Sequence, residues 1–315
     1  MKLAFLFPGQ GSQDVGMGKA LAQVSTRAAD IWREADEALG FPLSRLCFDG
    51  PVDQLALTAN TQPAVLTASV AAAAALAERG VTPDLAAGHS LGEYSALVVA
   101  GALPFSAAVK LVRKRGEYMQ DAVPVGVGAM AALLGVDVTV AEEVCEESAR
   151  GEVVAVANLN APGQVVIAGH KTAVERAVKA ASARGGRKSV MLPVSAPFHS
   201  ALMKPAADRL ATELASVQVG PPRIPVVRNV DAGLTTKADE VKPFLVQQVA
   251  RPVRWTDCVE RLRREGASVF LEVGPGRVLT GLLKRTLDDV RGHAVEDPAS
   301  IEKAVSVVAG EGASA

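Results

Sequence analysis

Gly88-His89-Ser90-Leu91-Gly92 lies between a short apolar run, Leu85–Ala87, and a segment with helical periodicity. In a strand–turn–helix setting this GxSxG pattern makes a nucleophile elbow, because glycines two before and two after the serine permit the strained turn that presents its hydroxyl. The N–H groups that follow, at a helix start, have no partner inside the helix and are free to bind an oxyanion. A tight turn whose serine only caps a helix would carry the same five residues. The chemistry expected of Ser90 is attack on an acyl carbon.

Such a serine needs a base, and the chain has four histidines. His89 adjoins the serine and should point away from its hydroxyl at a sharp elbow. His170 follows a strand of the middle region, and His293 sits near the C-terminal end. His199, within Ser195-Ala196-Pro197-Phe198-His199-Ser200, precedes a long amphipathic segment. A histidine there would feel the positive end of a helix dipole, which favours the neutral form a general base must have. A histidine that merely packs or caps would read the same way. If Ser90 is catalytic, His199 is its base by elimination.

Arg115 carries the third signal. Pro104 to Gln120 places Phe105, Ala108, Leu111, Val112, Tyr118 and Met119 on one helical face. At about 100° per residue Arg115 falls inside that stripe, while Lys110, Arg113, Lys114 and Glu117 fall outside it. A guanidinium aimed at the core needs an anion, since an unpaired buried charge costs several kcal/mol. One fitting partner is an internal carboxylate such as Glu93. The other is a substrate carboxylate held by the planar fork of the arginine. Spacing does not choose between them.

The elements that must position these groups are legible in the apolar runs. Leu3–Phe7 leads into Pro8-Gly9-Gln10-Gly11, Leu85–Ala87 into the elbow, and Val269–Val273 into Gly274-Pro275-Gly276, each followed by a helix-period segment. Strand–turn–helix units repeated in this way predict a parallel sheet with helices on both faces and sites at the carboxyl ends of its strands. The middle differs. Strand Ala129–Leu134, helix Thr139–Ala149, strands Val153–Ala157 and Gln164–Ala168, helix Lys171–Ala183 and strand Lys188–Pro193 follow the βαββαβ order of a ferredoxin-like unit. The expected organisation is an α/β core over 1–124 and 195–298, an insert over 125–194, and a frayed tail over 299–315.

Composition removes other classes. A net charge of −1 supplies no global field toward nucleic acid or a membrane surface. The basic runs Arg113-Lys114-Arg115, Arg261 with Arg263-Arg264, and Lys284-Arg285 fit solvated helix faces or a docking patch for an acidic partner. Cys47, Cys145 and Cys258 are far apart, which fits a reducing cytoplasm and argues against a disulfide framework or structural zinc. The apolar stretch Leu66 to Ala77 is too short to span a bilayer. No GxxxxGK[ST] register fits the glycines of residues 9–20.

With these residues in place, the chain resembles the malonyl-CoA:acyl carrier protein transacylases, relatives of polyketide synthase acyltransferase domains. The matching stretches are Phe7-Pro8-Gly9-Gln10-Gly11-Ser12-Gln13, Gly88 to Tyr94, Arg115-Gly116, Asn160 to Val166, Pro252-Val253-Arg254-Trp255, and Glu272 to Gly276. The resemblance implies an α/β-hydrolase-like core with a parallel sheet and an inserted ferredoxin-like small domain. By motif, Ser90 would be the nucleophile, His199 the general base, and Arg115 the partner of the malonyl carboxylate. The backbone N–H groups of Gln10 and Leu91 would form the oxyanion hole, and the main-chain carbonyl of Gln248 would orient the histidine. Phe198 before the histidine and Leu91 after the serine follow the family's malonyl pattern, where methylmalonyl-selective members tend to carry Ser and Gln.

The implied reaction is ping-pong transfer of a malonyl group from malonyl-CoA to the phosphopantetheine thiol of acyl carrier protein, through a malonyl-serine. It needs no metal and no bound cofactor. The same resemblance leads us to expect a cytoplasmic monomer with no nucleic-acid or membrane partner. A trans-acting polyketide acyltransferase or an acyl hydrolase of the same fold is the alternative; an ordinary esterase would draw its acid from Asp121 or Asp137. A non-catalytic scaffold would not need Ser90, His199, Arg115 and Gln10 together.

Overall fold

The computed structural model describes residues 2–194 and 196–312. Among the described residues ten strands fall in two sheets: β1 (Lys2–Phe7), β2 (Leu85–Gly88), β3 (Gly128–Leu134), β4 (Val154–Ala161), β5 (Gln164–His170), β6 (Lys188–Met191), β7 (Val226–Val227), β8 (Leu234–Thr235), β9 (Ala267–Val273) and β10 (Arg291–Val295). The larger sheet has the order β10-β9-β1-β2-β7-β8. All its neighbours are parallel except the short β7–β8 pair at one edge.

The apolar runs are continuous because both faces of this sheet are covered. Successive residues of β1 enter opposite cores. Leu3, Phe5 and Phe7 pack with the helices Thr58–Glu78 and Phe105–Asp121. Ala4 and Leu6 pack with Trp255, Cys258 and Leu262 of the helix Trp255–Arg264 and with Leu282 and Leu283 of the helix Val278–Thr286. The Ala-rich stretch lies within Thr58–Glu78, buried around most of its circumference. No described helix is long and apolar enough to cross a membrane.

The smaller sheet is antiparallel with the order β4-β5-β3-β6, the arrangement of a βαββαβ unit. Its two helices, Val138–Ala149 and Lys171–Ala183, cover one face through Val144, Cys145, Val174 and Ala177. The other face presents Met130, Val166 and Ala168 toward Leu192, Val194 and Phe198. Strand β4 is tied to the core. Leu159 N–H donates to Val253 O at 2.9 Å, Val253 N–H to Ala157 O at 2.9 Å, and the Thr256 hydroxyl to Leu159 O at 3.1 Å.

The expected elements recur with shifted ends. Strand β4 runs on to Ala161 rather than stopping at Ala157, because Asn158, Leu159 and Ala161 keep pairing with β5. Strand β6 ends at Met191 instead of Pro193. The two-residue strands β7 and β8 and the edge strand β10 carry too little apolar pattern to have been foreseen.

The frayed tail is corrected. Pro298–Gly312 is a helix in which Ile301 and Ala304 are buried in the main core, and Asp297 accepts from the Ser300 N–H at its start. Small and polar residues concealed a short apolar stripe. The last three residues of the expected tail, Ala313-Ser314-Ala315, and Ser195 beside the insert boundary lie outside the described residues. Ile301→Ala is expected to cost about 2–4 kcal/mol, as for other buried aliphatic truncations. A urea midpoint unchanged from wild type would contradict this packing.

Candidate active site

Strand β2 ends at Gly88 and the helix Gly92–Val99 begins four residues later, with Ser90 between them at φ +51°. The flanking glycines are steric necessities. A Cβ on Gly88 would lie 1.9 Å from Gly92 O, and one on Gly92 would lie 2.0 Å from Phe7 O. A left-handed serine is strained, and buried Asn229 clamps it from both sides. Its Oδ1 accepts the Ser90 N–H at 2.7 Å and its Nδ2 donates to Gly88 O at 2.7 Å.

His199 also has a positive φ, +59°, and its Nε2 lies 2.8 Å from Ser90 Oγ. The opposite nitrogen, Nδ1, lies 2.8 Å from the main-chain oxygen of Gln248, near the end of the helix Ala238–Ala250. A carbonyl only accepts, so Nδ1 carries the hydrogen and Nε2 presents its lone pair to the serine hydroxyl. Burial first, and the Arg115 cation second, push the pKa of His199 down to about 3. The helix dipole expected to do this is not the cause. A 3₁₀ turn, Ala201–Met203, intervenes and the helix starts only at Lys204, beyond the single turn over which such a field acts.

The other histidines are accounted for. His89 turns away from the hydroxyl to Asn160 Oδ1 at 2.9 Å and packs 5.5 Å from the Trp255 ring. His170 Nδ1 accepts the Val153 N–H within the insert, and His293 lies on the edge strand β10. Neither candidate acid serves His199. Asp121 is exposed and pairs with Arg209, and Asp137 caps the helix Val138–Ala149. Among the described residues the imidazole is therefore oriented by main-chain groups, the Gln248 carbonyl foremost, and not by a carboxylate.

Arg115 is 2% exposed, on the buried face of Phe105–Asp121. Its Nη1 donates to Gln62 Oε1 at 2.8 Å, and its Nη2 to Gln248 Oε1 at 2.9 Å and to Ser90 Oγ at 3.1 Å. Its Nε has no hydrogen-bond partner among the described residues. All three acceptors are neutral. Glu93, the internal carboxylate considered from sequence, bonds instead to the Gln248 amide at 2.8 Å and the Asn229 N–H at 3.1 Å. Burial lowers the guanidinium's pKa from its ordinary value, yet an arginine remains cationic at neutral pH.

Gln62, Ser90, Arg115 and His199 line a cleft of about 480 Å³ between the two sheets. Gln10 and Leu91 border it from the core, and Phe198 with Met130, Val166 and Leu192 forms its apolar wall. Gln10 and Leu91 belong to turns, after β1 and β2, whose N–H groups are outside any helix or strand ladder. The Gln10 side chain is held by Thr58 Oγ1 at 3.2 Å. Six of the seven site residues expected from sequence, Gln10, Ser90, Leu91, Arg115, Phe198 and His199, line this cleft, and Gln248 lies behind it, bonded to His199 and Arg115. Among the described residues no cluster of His, Cys, Asp and Glu could hold a metal ion.

The acyl transferase domain family model matches residues 4–307. A malonyl CoA-acyl carrier protein transacylase of Escherichia coli K12 is 49% identical over 307 residues, covering 97% of this chain and 99% of the relative. This chain belongs to the acyl transferase family. An acyl carrier protein S-malonyltransferase crystal structure from Vibrio cholerae superposes with a TM-score of 0.95 at 48% identity, covering 96% of this chain and 100% of that one. A malonyl-transacylase in complex with a type II polyketide synthase acyl-carrier protein gives 0.95 at 48% identity, covering 97% and 99%.

Three residues of this acyl transferase's site escaped sequence reasoning. Gln62 had a signal: it is an amide that begins the mostly apolar run of the helix Thr58–Glu78. Asn229 and the side chain of Gln248 had none, since each sits at an ordinary spacing. The His199 value generates a prediction. An NMR titration should leave this ring unprotonated between about pH 8 and pH 5. Its folded pKa, about 3, lies below the ordinary 6.5, so its contribution to stability is complete above 6.5 and is lost as pH falls toward 3. Arg115→Leu removes the second largest of the three depressing causes, which are burial, Arg115 and His89, and should raise the ring's pKa. An inflection near the ordinary value in the wild-type protein would contradict the assignment.

Proposed function

We propose that this chain is an acyl carrier protein S-malonyltransferase, moving malonyl from malonyl-CoA to the phosphopantetheine thiol of acyl carrier protein by way of a malonyl ester on Ser90. The observation that carries the reading is Arg115. A buried cation with three neutral acceptors, beside the serine hydroxyl, is short of one anion, and a malonyl group brings a carboxylate to that point. The relatives' names describe the same transfer for those proteins.

In the first half-reaction neutral His199 accepts the Ser90 proton at Nε2 as Oγ attacks the thioester carbon. The charge that develops on the carbonyl oxygen is met by the N–H groups of Gln10 and Leu91; each such donor is typically worth about 10²–10³-fold in rate. The imidazolium returns its proton to the departing thiolate of coenzyme A. In the second half the phosphopantetheine thiol gives its proton to His199 and attacks the ester, regenerating the Ser90 hydroxyl. The Gln248 carbonyl holds the Nδ1 hydrogen throughout, and Arg115 pairs with the carboxylate in both halves. Phe198 narrows the wall where an α-methyl would lie, a contact worth about 1–3 kcal/mol of discrimination.

Intact mass after mixing with malonyl-CoA tests the intermediate. The wild type should gain one malonyl group that acyl carrier protein removes faster than water does, and Ser90→Ala should gain none. Discharge to water at the same rate would make the chain a hydrolase. Arg115→Ala should lower malonyl transfer about a hundredfold more than acetyl transfer, as for loss of a charge-assisted bidentate contact. Equal loss for both acyl groups would refute the carboxylate role.

A further inference from the structure

Among the buried ionisable groups that take no part in these steps, Glu93 lies nearest the serine in sequence. Glu93 is 3% exposed, in the first turn of the helix Gly92–Val99. Its Oε2 accepts from Gln248 Nε2 at 2.8 Å and from the Asn229 N–H at 3.1 Å. The same Gln248 nitrogen donates to Ser90 O at 2.9 Å, while the amide oxygen, Oε1, accepts from Arg115 Nη2 at 2.9 Å. A glutamine amide can turn over and exchange its oxygen for its nitrogen. Turned over, Gln248 would set its NH2 against the Arg115 cation and its oxygen against both the Glu93 carboxyl and the Ser90 carbonyl.

We infer that Glu93 is a positioning residue that acts through Gln248. Its carboxyl oxygen fixes the amide orientation, the amide oxygen holds the Nη2 edge of Arg115, and the guanidinium is thereby aimed at the acyl carboxylate. The inference rests on the proposed malonyl transfer.

The interposed amide explains why the two charges do not simply pair. A direct Glu93–Arg115 ion pair would occupy the fork that the substrate needs. Placed in series through Gln248, the carboxyl orients the cation and leaves it unneutralised. The charged and titratable groups around Glu93 are Arg115 from Phe105–Asp121, Arg228 just after β7, Tyr94 on its own helix, and Cys258 from Trp255–Arg264. Burial raises the carboxyl to about 7 against the opposing pull of Gln248, Asn229 and the two arginines. A group kept in such surroundings without direct contact with the acyl group fits orientation rather than proton transfer.

The test compares malonyl and acetyl transfer to holo acyl carrier protein in the wild type, Glu93→Gln and Glu93→Ala. Acetyl lacks the carboxylate, so it reports everything that does not pass through Arg115. Glu93→Ala should lose about tenfold more malonyl than acetyl kcat/KM, with the difference in KM, while Glu93→Gln keeps an acceptor oxygen and should restore the ratio to within about threefold. Equal loss for the two acyl groups, or a Gln variant as poor as Ala, overturns the inference. In a Gln248→Met background, Glu93→Ala should lower the ratio no further; an undiminished second loss also overturns it.

If the Ala variant does not fold, Glu93→Asp answers the same question, since it withdraws the acceptor by one methylene. A selective malonyl loss supports the role and a uniform loss defeats it. A wild-type chain that moves both acyl groups alike would sink the proposed function itself, whereas full selectivity in every Glu93 variant sinks only this inference.

Discussion

A guanidinium held in the core with no carboxylate against it is the constraint around which the rest of the site is arranged. Arg115 lies where an unpaired charge costs several kcal/mol, and the fold offsets that only in part, with amide and hydroxyl oxygens. Its field reaches both reacting partners. It donates to the Ser90 oxygen, favouring the form that has lost its proton, and it helps hold His199 neutral. In the proposed transfer this one side chain would prepare the nucleophile, keep the base unprotonated and leave a place for an anion.

The backbone around this cation is strained in a matched pair. Ser90 and His199 both adopt left-handed conformations, at φ +51° and +59°. Neither residue type prefers that region, and each is fixed by contacts from elsewhere in the chain. Asn229 grips the backbone on both sides of the serine, and the Gln248 carbonyl holds the imidazole. The core glycines permit the approach of Phe7 O to the elbow that closes this arrangement. Strain of this kind persists where the surrounding structure over-determines it.

The fold and much of the site were legible in the sequence because they depend on periodicity and on local turns. Continuous apolar runs ending in glycine-rich turns marked β1, β2 and β9, and the βαββαβ order marked the insert. The helical spacing of Phe105–Asp121 identified Arg115 as inward-facing, and the elbow identified Ser90. What stayed hidden is relational. Nothing local distinguishes Asn229 from any other asparagine, or tells which way the Gln248 amide points. The sequence also left Glu93 and a substrate anion as equal partners for Arg115, and only the placement of Gln248 between the two separates them. The C-terminal helix was missed for a different reason: its apolar stripe is short and interrupted by small polar residues.

The ties between β4 and the Val253–Thr256 segment bear on the cleft. Asn160 leaves β4 to meet His89, so the insert is latched to the core both at its strand and at the elbow beside the nucleophile. A slot latched at both walls has spent its ordering entropy during folding and not at each encounter. In the proposed transfer the search is then left to the visiting thioester arm, whose slender, jointed chain would have to thread this passage before its terminal charge met the arginine.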